Sequence, residues 1–295
     1  MAVPLKLPMI VWIAGMLALS GNAIAEEITG RLADTSRIVS IGDSITEIVY
    51  ALGEEKHLVG RDTTSTYPKA ANALPDVGYM RALSPEGVLS INPTAIIAVE
   101  GSGPKEAIEV LKKASVPMVV VPDTYSAASV SEKIRIVGKA LGADEKAEVL
   151  AGQVETELAA AKAAVETVKQ RKRVLFILSA QGGKIMASGT QTAANGIIEL
   201  AGGENAISGY SGYKALNDES IITAKPDIIL VMDRGGDHAA ANDELLANKA
   251  IAATPAGQSK NIVRMGGQYL LGFGPRTASA VRELSNAFYG SETSQ

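Results

Sequence analysis

Apolar residues fall in short blocks that alternate with helix-spaced patterns along most of the chain. Arg37-Ile-Val-Ser-Ile41 reads as a buried strand, and Ser44 to Leu52, closed by Gly53, reads as a helix with a glycine stop. His57-Leu-Val-Gly60 follows as a second short strand. Ala95-Ile-Ile-Ala-Val99, a helix over Pro104 to Ala114, and Pro117-Met-Val-Val-Val121 continue the series. Strands that alternate with helices predict a parallel sheet covered by helices.

The rhythm breaks at residues 143–170, a stretch rich in Ala, Glu and Lys whose only glycine is Gly152 and which lacks proline. Such composition favours one long helix, about 40 Å at 1.5 Å per residue, which suits a stiff connector. The pattern then restarts. Arg173-Val-Leu-Phe-Ile-Leu178 repeats the strand at 37–41, and Asn195 to Gly209 tracks Thr46 to Gly60. Asn217 to Leu230 matches Ser84 to Ile97, keeping a helix, a proline and a strand in the same order. The expected fold is α/β: two Rossmann-like lobes with mainly parallel sheets, joined by one long α-helix, with a ligand cleft between the lobes. The predicted boundaries are 26–142 for the first lobe, 143–170 for the connecting helix and 171–295 for the second lobe.

The first residues differ in kind. Lys6 precedes the apolar run Met9 to Leu19, and Ala23-Ile24-Ala25 supplies small residues in A-x-A spacing, so residues 1–25 read as a cleaved secretory signal. Its removal takes one lysine and leaves 27 basic against 32 acidic residues, a mildly acidic chain with no basic tract. That balance argues against a nucleic-acid partner. Cysteine is absent, which excludes disulfides, thiolate metal sites and a lipid-modified cysteine at the cleavage point. The two histidines, His57 and His238, do not stand at zinc-enzyme spacing. The expected product is an unanchored monomer in a bacterial periplasm.

Two sets of residues invite chemistry. Gly42-Asp43-Ser44-Ile45 resembles the nucleophile block of GDSL-type hydrolases, which would make Ser44 an esterase nucleophile. Such an enzyme needs a histidine base with an aspartate three residues before it. Glu54 precedes His57 at that distance and Gly235 precedes His238, and Ala215-Leu-Asn-Asp218 lacks the glycine of the oxyanion block. Ser44 is therefore expected to cap the helix that begins there, with Glu47 as its capping-box partner. The second set is Asp62-Thr-Thr-Ser-Thr-Tyr-Pro68, a polar loop at a strand C-terminus, where open α/β sheets hold their ligands. Tyr67 in this loop offers a phenolate oxygen suited to ferric iron, and Pro68 restricts it to extended conformations.

Gly60-Arg-Asp-Thr-Thr-Ser-Thr-Tyr-Pro68, Val77 to Ser90 and Leu270-Leu-Gly-Phe-Gly-Pro-Arg276 resemble the periplasmic haem-binding proteins of bacterial haem ABC importers, a helix-linked class that also carries siderophores and vitamin B12. The resemblance covers essentially the whole chain after residue 25. It implies a non-enzymatic carrier that holds ferric haem between its lobes, with Tyr67 as the metal ligand and Arg234 reaching across the cleft to the tyrosinate. Arg81 and Lys69 become candidates for the haem propionates, and Tyr210, Tyr213, Tyr269 and Phe273 for walls against the porphyrin. His238 stands near Arg234 without a mapped role. Glu86 and Glu219 occupy equivalent places in the two repeats, where a carboxylate favours the positive end of a helix, and match the pair that docks on the two permease subunits. A siderophore or corrinoid carrier on the same scaffold is the alternative.

Overall fold

The computed structural model describes residues 30–233 and 238–290; the proposed signal segment lies outside them. The first half is built from β1 (Ile38–Ile41), α1 (Asp43–Ala51), β2 (Leu58–Arg61), α2 (Pro85–Leu89), β3 (Ala95–Val99), α3 (Lys105–Lys113) and β4 (Met118–Val121). Its four strands lie in the order β2-β1-β3-β4, all parallel. β1 and β3 are buried along their whole length, as strands covered on both faces must be. Between the halves come α4 (Ala127–Leu141) and α5 (Asp144–Glu166).

The second half contains β5 (Arg173–Gln181), β6 (Lys184–Ser188), α6 (Ala193–Leu200), β7 (Glu204–Asn205), β8 (Tyr213–Leu216), α7 (Asp218–Ala224) and β9 (Ile228–Asp233). It closes with α8 (His238–Ala247), α9 (Lys249–Ala252), α10 (Pro255–Gln258), β10 (Ile262–Gly266), α11 (Gly267–Leu271) and α12 (Thr277–Tyr289). Parallel pairing links β7 to β5, β5 to β9 and β9 to β10, which is the strand order of the first sheet repeated. The sequence restart is thus visible as topology.

One departure stands out. β5 runs on past the predicted strand end and turns back as β6 through Gly182-Gly183, both at positive φ (59° and 75°), a two-residue hairpin that glycine makes without steric cost. β8 pairs antiparallel with β6, so the second sheet is mixed, parallel across β7-β5-β9-β10 and antiparallel through β6 and β8.

α5 is 23 residues long, about 35 Å. It is not a bare spacer. Ala147, Ala151, Val154, Leu158, Ala161 and Val165 are buried at alternating steps of four and three, the spacing of a single apolar stripe. The stripe packs on α4 and α12 within a core that also takes in Ile38, Ile45 and Ile97 from the first sheet's side and Val174, Phe176 and Ile228 from the second.

Candidate binding cleft

At the end of β1 the chain turns sharply into α1. Gly42 has φ 107°, and a Cβ there would lie 2.6 Å from Val99 Cγ1, so only glycine fits. Gly42 is also the residue preceding the helix, and no side chain caps it. Ser44 lies inside the first turn, buried, with its N–H donating to Asp43 Oδ1 (2.9 Å). The expected Ser44–Glu47 capping box is therefore absent. Glu47 is engaged elsewhere, as described below. His57 pairs with Glu54 (3.1 Å), in its own 3-10 turn beyond α1.

The loop that carries Tyr67 is organised by one buried carboxylate. Asp62 Oδ1 accepts from Gly42 N–H (2.9 Å) and Ser65 Oγ (2.5 Å), and its Oδ2 accepts from Thr64 N–H (2.9 Å) and Thr64 Oγ1 (2.6 Å). Thr46 Oγ1 donates to Ser65 Oγ (2.8 Å), which ties the loop to α1. Fully satisfied buried networks of this kind hold a single backbone conformation. The result is a tyrosine presented outward, 43% exposed, and followed by a cis proline. The neighbouring loop is fixed by Asp76, which accepts from Arg61 Nη1 (2.8 Å), Thr63 Oγ1 (3.0 Å) and Gly78 N–H (2.8 Å). It presents Tyr79, 45% exposed, with Met80 and Arg81.

These loops form one wall of a cavity of about 1050 Å³, at the upper end of the usual range for small-molecule sites. From the first half come Asp43, Tyr67, Tyr79, Met80, Arg81 and Tyr125. The second half adds Leu178, Thr192, Tyr213, Met232, Tyr269 and Arg276. Aromatic rings and methionines make its surface broad, apolar and adaptable.

Among the residues singled out from sequence, Tyr67, Arg81, Tyr213 and Tyr269 meet in this cavity. Phe273 lies one layer behind, buried edge-on against Tyr125 with centroids 5.4 Å apart. Tyr210 faces away; its hydroxyl donates to Ala187 C=O (3.1 Å) and Lys214 sits over its ring. Lys69 is exposed in the turn after Pro68 and does not line the cavity. Arg234 lies outside the described residues, although Met232 and Asp233 at the end of β9 do reach the cavity. His238 begins α8. Glu86 and Glu219 each occupy the first turn of a short helix, α2 and α7, capped by Ser84 and Asn217 in the same manner.

Among the cavity residues to which sequence reasoning gave no role, three stand out. Arg276 donates from its backbone N–H and Nε (2.9 Å each) and from Nη2 (2.8 Å) to the Glu47 carboxylate, and its guanidinium carbon lies 3.4 Å from the centre of the Tyr67 ring. The signal available was Glu47 itself, a carboxylate set among the buried positions Ile45, Ile48 and Val49 of α1, where a charge needs a partner. Asp43 is the second. Burial pushes its carboxyl up to about 7 against the Ser44 N–H, and the charges of Asp62 and Glu47 add to the rise. The third is Tyr125, whose phenol is pushed up to about 12, first by burial and then by Asp123, the acceptor of its hydroxyl (3.2 Å). Asp123 also holds the buried Lys133.

A family model described as periplasmic binding protein matches residues 38–269. The chain belongs to that family. Among solved structures it is similar to the periplasmic heme-binding protein RhuT of Roseiflexus sp. RS-1 in apo form, with a TM-score of 0.83 and 40% identity, covering 88% of this chain and 100% of that one. The heme-binding protein BhuT in complex with two hemes aligns with a TM-score of 0.81 and 38% identity over 85% of this chain and 97% of that one. Among curated proteins, an uncharacterized ABC transporter substrate-binding lipoprotein of Bacillus subtilis is 29% identical over 259 residues, 87% of this chain and 81% of its own length. A vitamin B12-binding protein of Vibrio parahaemolyticus is 24% identical over 85% of this chain and 89% of its own.

Proposed function

We propose that this periplasmic binding protein carries ferric haem and delivers it to an inner-membrane ABC permease. The observation that carries the reading is Tyr67, an exposed phenol anchored by Asp62 at the wall of an aromatic cavity large enough for a planar macrocycle. Its oxygen is a hard anionic donor for ferric iron. Tyr213, Tyr269 and Tyr79 supply apolar area for the porphyrin, and Arg81 offers a cation to a propionate. Arg234, one residue beyond β9, remains the proposed partner of the tyrosinate. The similarity to two heme-binding structures at 38 and 40% identity supports this ligand. The protein acts as a carrier and not as an enzyme in this reading: Ser44 borders the cavity, but among the described residues no histidine lines it to serve as base, and His57 is committed to Glu54. Export through the N-terminal segment and work as a monomer complete the proposal.

A corrinoid carrier is the second reading, favoured by the vitamin B12-binding relatives. A corrinoid brings its own cobalt ligands, so Tyr67 would matter little to it. Absorption titration of the purified protein with haemin and with cyanocobalamin decides between them. The expected result is a ferric-tyrosinate spectrum with haemin that is lost in Tyr67→Ala. Tight cyanocobalamin binding that Tyr67→Ala leaves unchanged would replace haem by the corrinoid.

A further inference from the structure

We infer that Arg276 sets the orientation of the Tyr67 ring and makes that orientation depend on the spacing of the two lobes. The inference rests on the reading of Tyr67 as the iron ligand and adds the residue that positions it. Arg276 enters from the second half of the chain, between α11 and α12, yet both of its partners belong to the first. Glu47 on α1 takes three hydrogen bonds from it, two of them from the guanidinium and one from the backbone. Nε and Nη2 both donate to Oε2 while the backbone N–H takes Oε1, so both ends of the carboxylate hold the residue, and charge-assisted bonds of this kind are among the stronger ones. The guanidinium carbon lies over the Tyr67 ring, 3.4 Å from its centre, while the Tyr269 ring stands 5.3 Å away. Both members of the ion pair are largely covered, with side-chain exposures of 27% for Arg276 and 10% for Glu47, so solvent weakens the contact less than at the open surface.

Adjacent contacts reinforce the geometry. Thr66 Oγ1, one residue before the tyrosine, donates to Gln268 Oε1 in α11 (2.6 Å), again across the two halves. A shift of the second lobe by about 1 Å away from α1 would take the Arg276 backbone N–H past useful range of Glu47, and the same shift draws the guanidinium away from the ring. Lobe separation and release of the tyrosine are therefore one event. A permease that pulls the lobes apart loosens the iron ligand without touching it.

Lysine keeps the charge of Arg276 but has no plane to stack, which separates positioning from mere lobe attachment. Tyrosine-ring NMR on the haem-free protein, with Tyr67 assigned by Tyr67→Phe, reads the ring directly. Arg276→Gln and Arg276→Lys are expected to move the Tyr67 ring signals and speed ring flipping, with Glu47→Gln intermediate. Only Arg276→Gln should also lower the thermal midpoint clearly. With haem bound, dissociation into excess apomyoglobin should quicken about tenfold in both Arg276 variants, the equivalent of about 1.4 kcal/mol. Tyr67 signals unchanged in Arg276→Lys and Glu47→Gln would overturn the inference, and these two variants carry the test if Arg276→Gln does not fold. Failure of the haem reading itself shows separately, as haem binding unaffected by Tyr67→Ala, while the ring measurement still decides the role of Arg276.

Discussion

Asp43 shows how far a single side chain can be pushed by its surroundings. It sits at the base of the cavity beside Asp62 and Glu47, and burial raises its carboxyl to about 7. In the unfolded chain the same group titrates near 4. The folded state therefore holds the proton over a range in which the unfolded state has released it. This contribution to stability is complete below about pH 4 and is lost as pH rises toward 7, with a slope of at most about 1.4 kcal/mol per pH unit. Asp43→Asn is expected to flatten that slope and to raise the urea midpoint at pH 8 relative to the parent; an unchanged difference between pH 5 and pH 8 would show that Asp43 ionises freely. Residue by residue, the place of Tyr67 on the cavity wall was legible because a tyrosine in a polar loop after a strand stands where open α/β sheets form their crevice. Arg276 was hidden by distance: its partner Glu47 lies far back in the sequence, and no local pattern pairs them. Tyr210 and Phe273 misled for the opposite reason, since an aromatic near a cleft segment looks the same whether its ring faces the ligand or the core.

At the level of elements, hydrophobic periodicity located the strands and helices well, because fully buried parallel strands leave uninterrupted apolar runs. The β5–β6 hairpin escaped it. Gly182-Gly183 is a turn signal, but Ile185-Met186-Ala187 shows no alternation to mark a strand. The close approach of α4 to α5 was also invisible in sequence. A Cβ on Gly138 would fall 2.2 Å from Ala147 Cβ, so Gly138→Val should destabilise the protein by about 1–3 kcal/mol through overpacking, measurable as a lower urea midpoint. The paired helices α2 and α7 were legible as a repeat, and each carries its glutamate in the first turn. Under the proposed function, replacing Glu86 and Glu219 together with alanine leaves haem affinity unchanged and abolishes haem uptake in cells. Loss of haem binding in that double variant would contradict the separation of docking from ligand capture.

For the molecule as a whole, the two halves meet through more than a hinge. The Glu47–Arg276 pair and the Thr66–Gln268 bond cross between them, and one continuous apolar core runs from the first sheet through α4 and α5 to α12. Binding is therefore expected to leave the lobes in place, with backbone shifts under about 1 Å, as in other preorganised complexes. Small-angle scattering profiles with and without haem should superimpose, whereas a marked contraction on loading would mean that the lobes close like a clam. The sequence repeat suggests two equivalent modules, and the strand order agrees. The seam along α5 says otherwise about their independence. Cutting the chain before that helix would strip cover from Ala147, Ala151, Val154 and their neighbours, so the look-alike halves are mutually obligate: neither could be transplanted without its sibling's flank to shelter it.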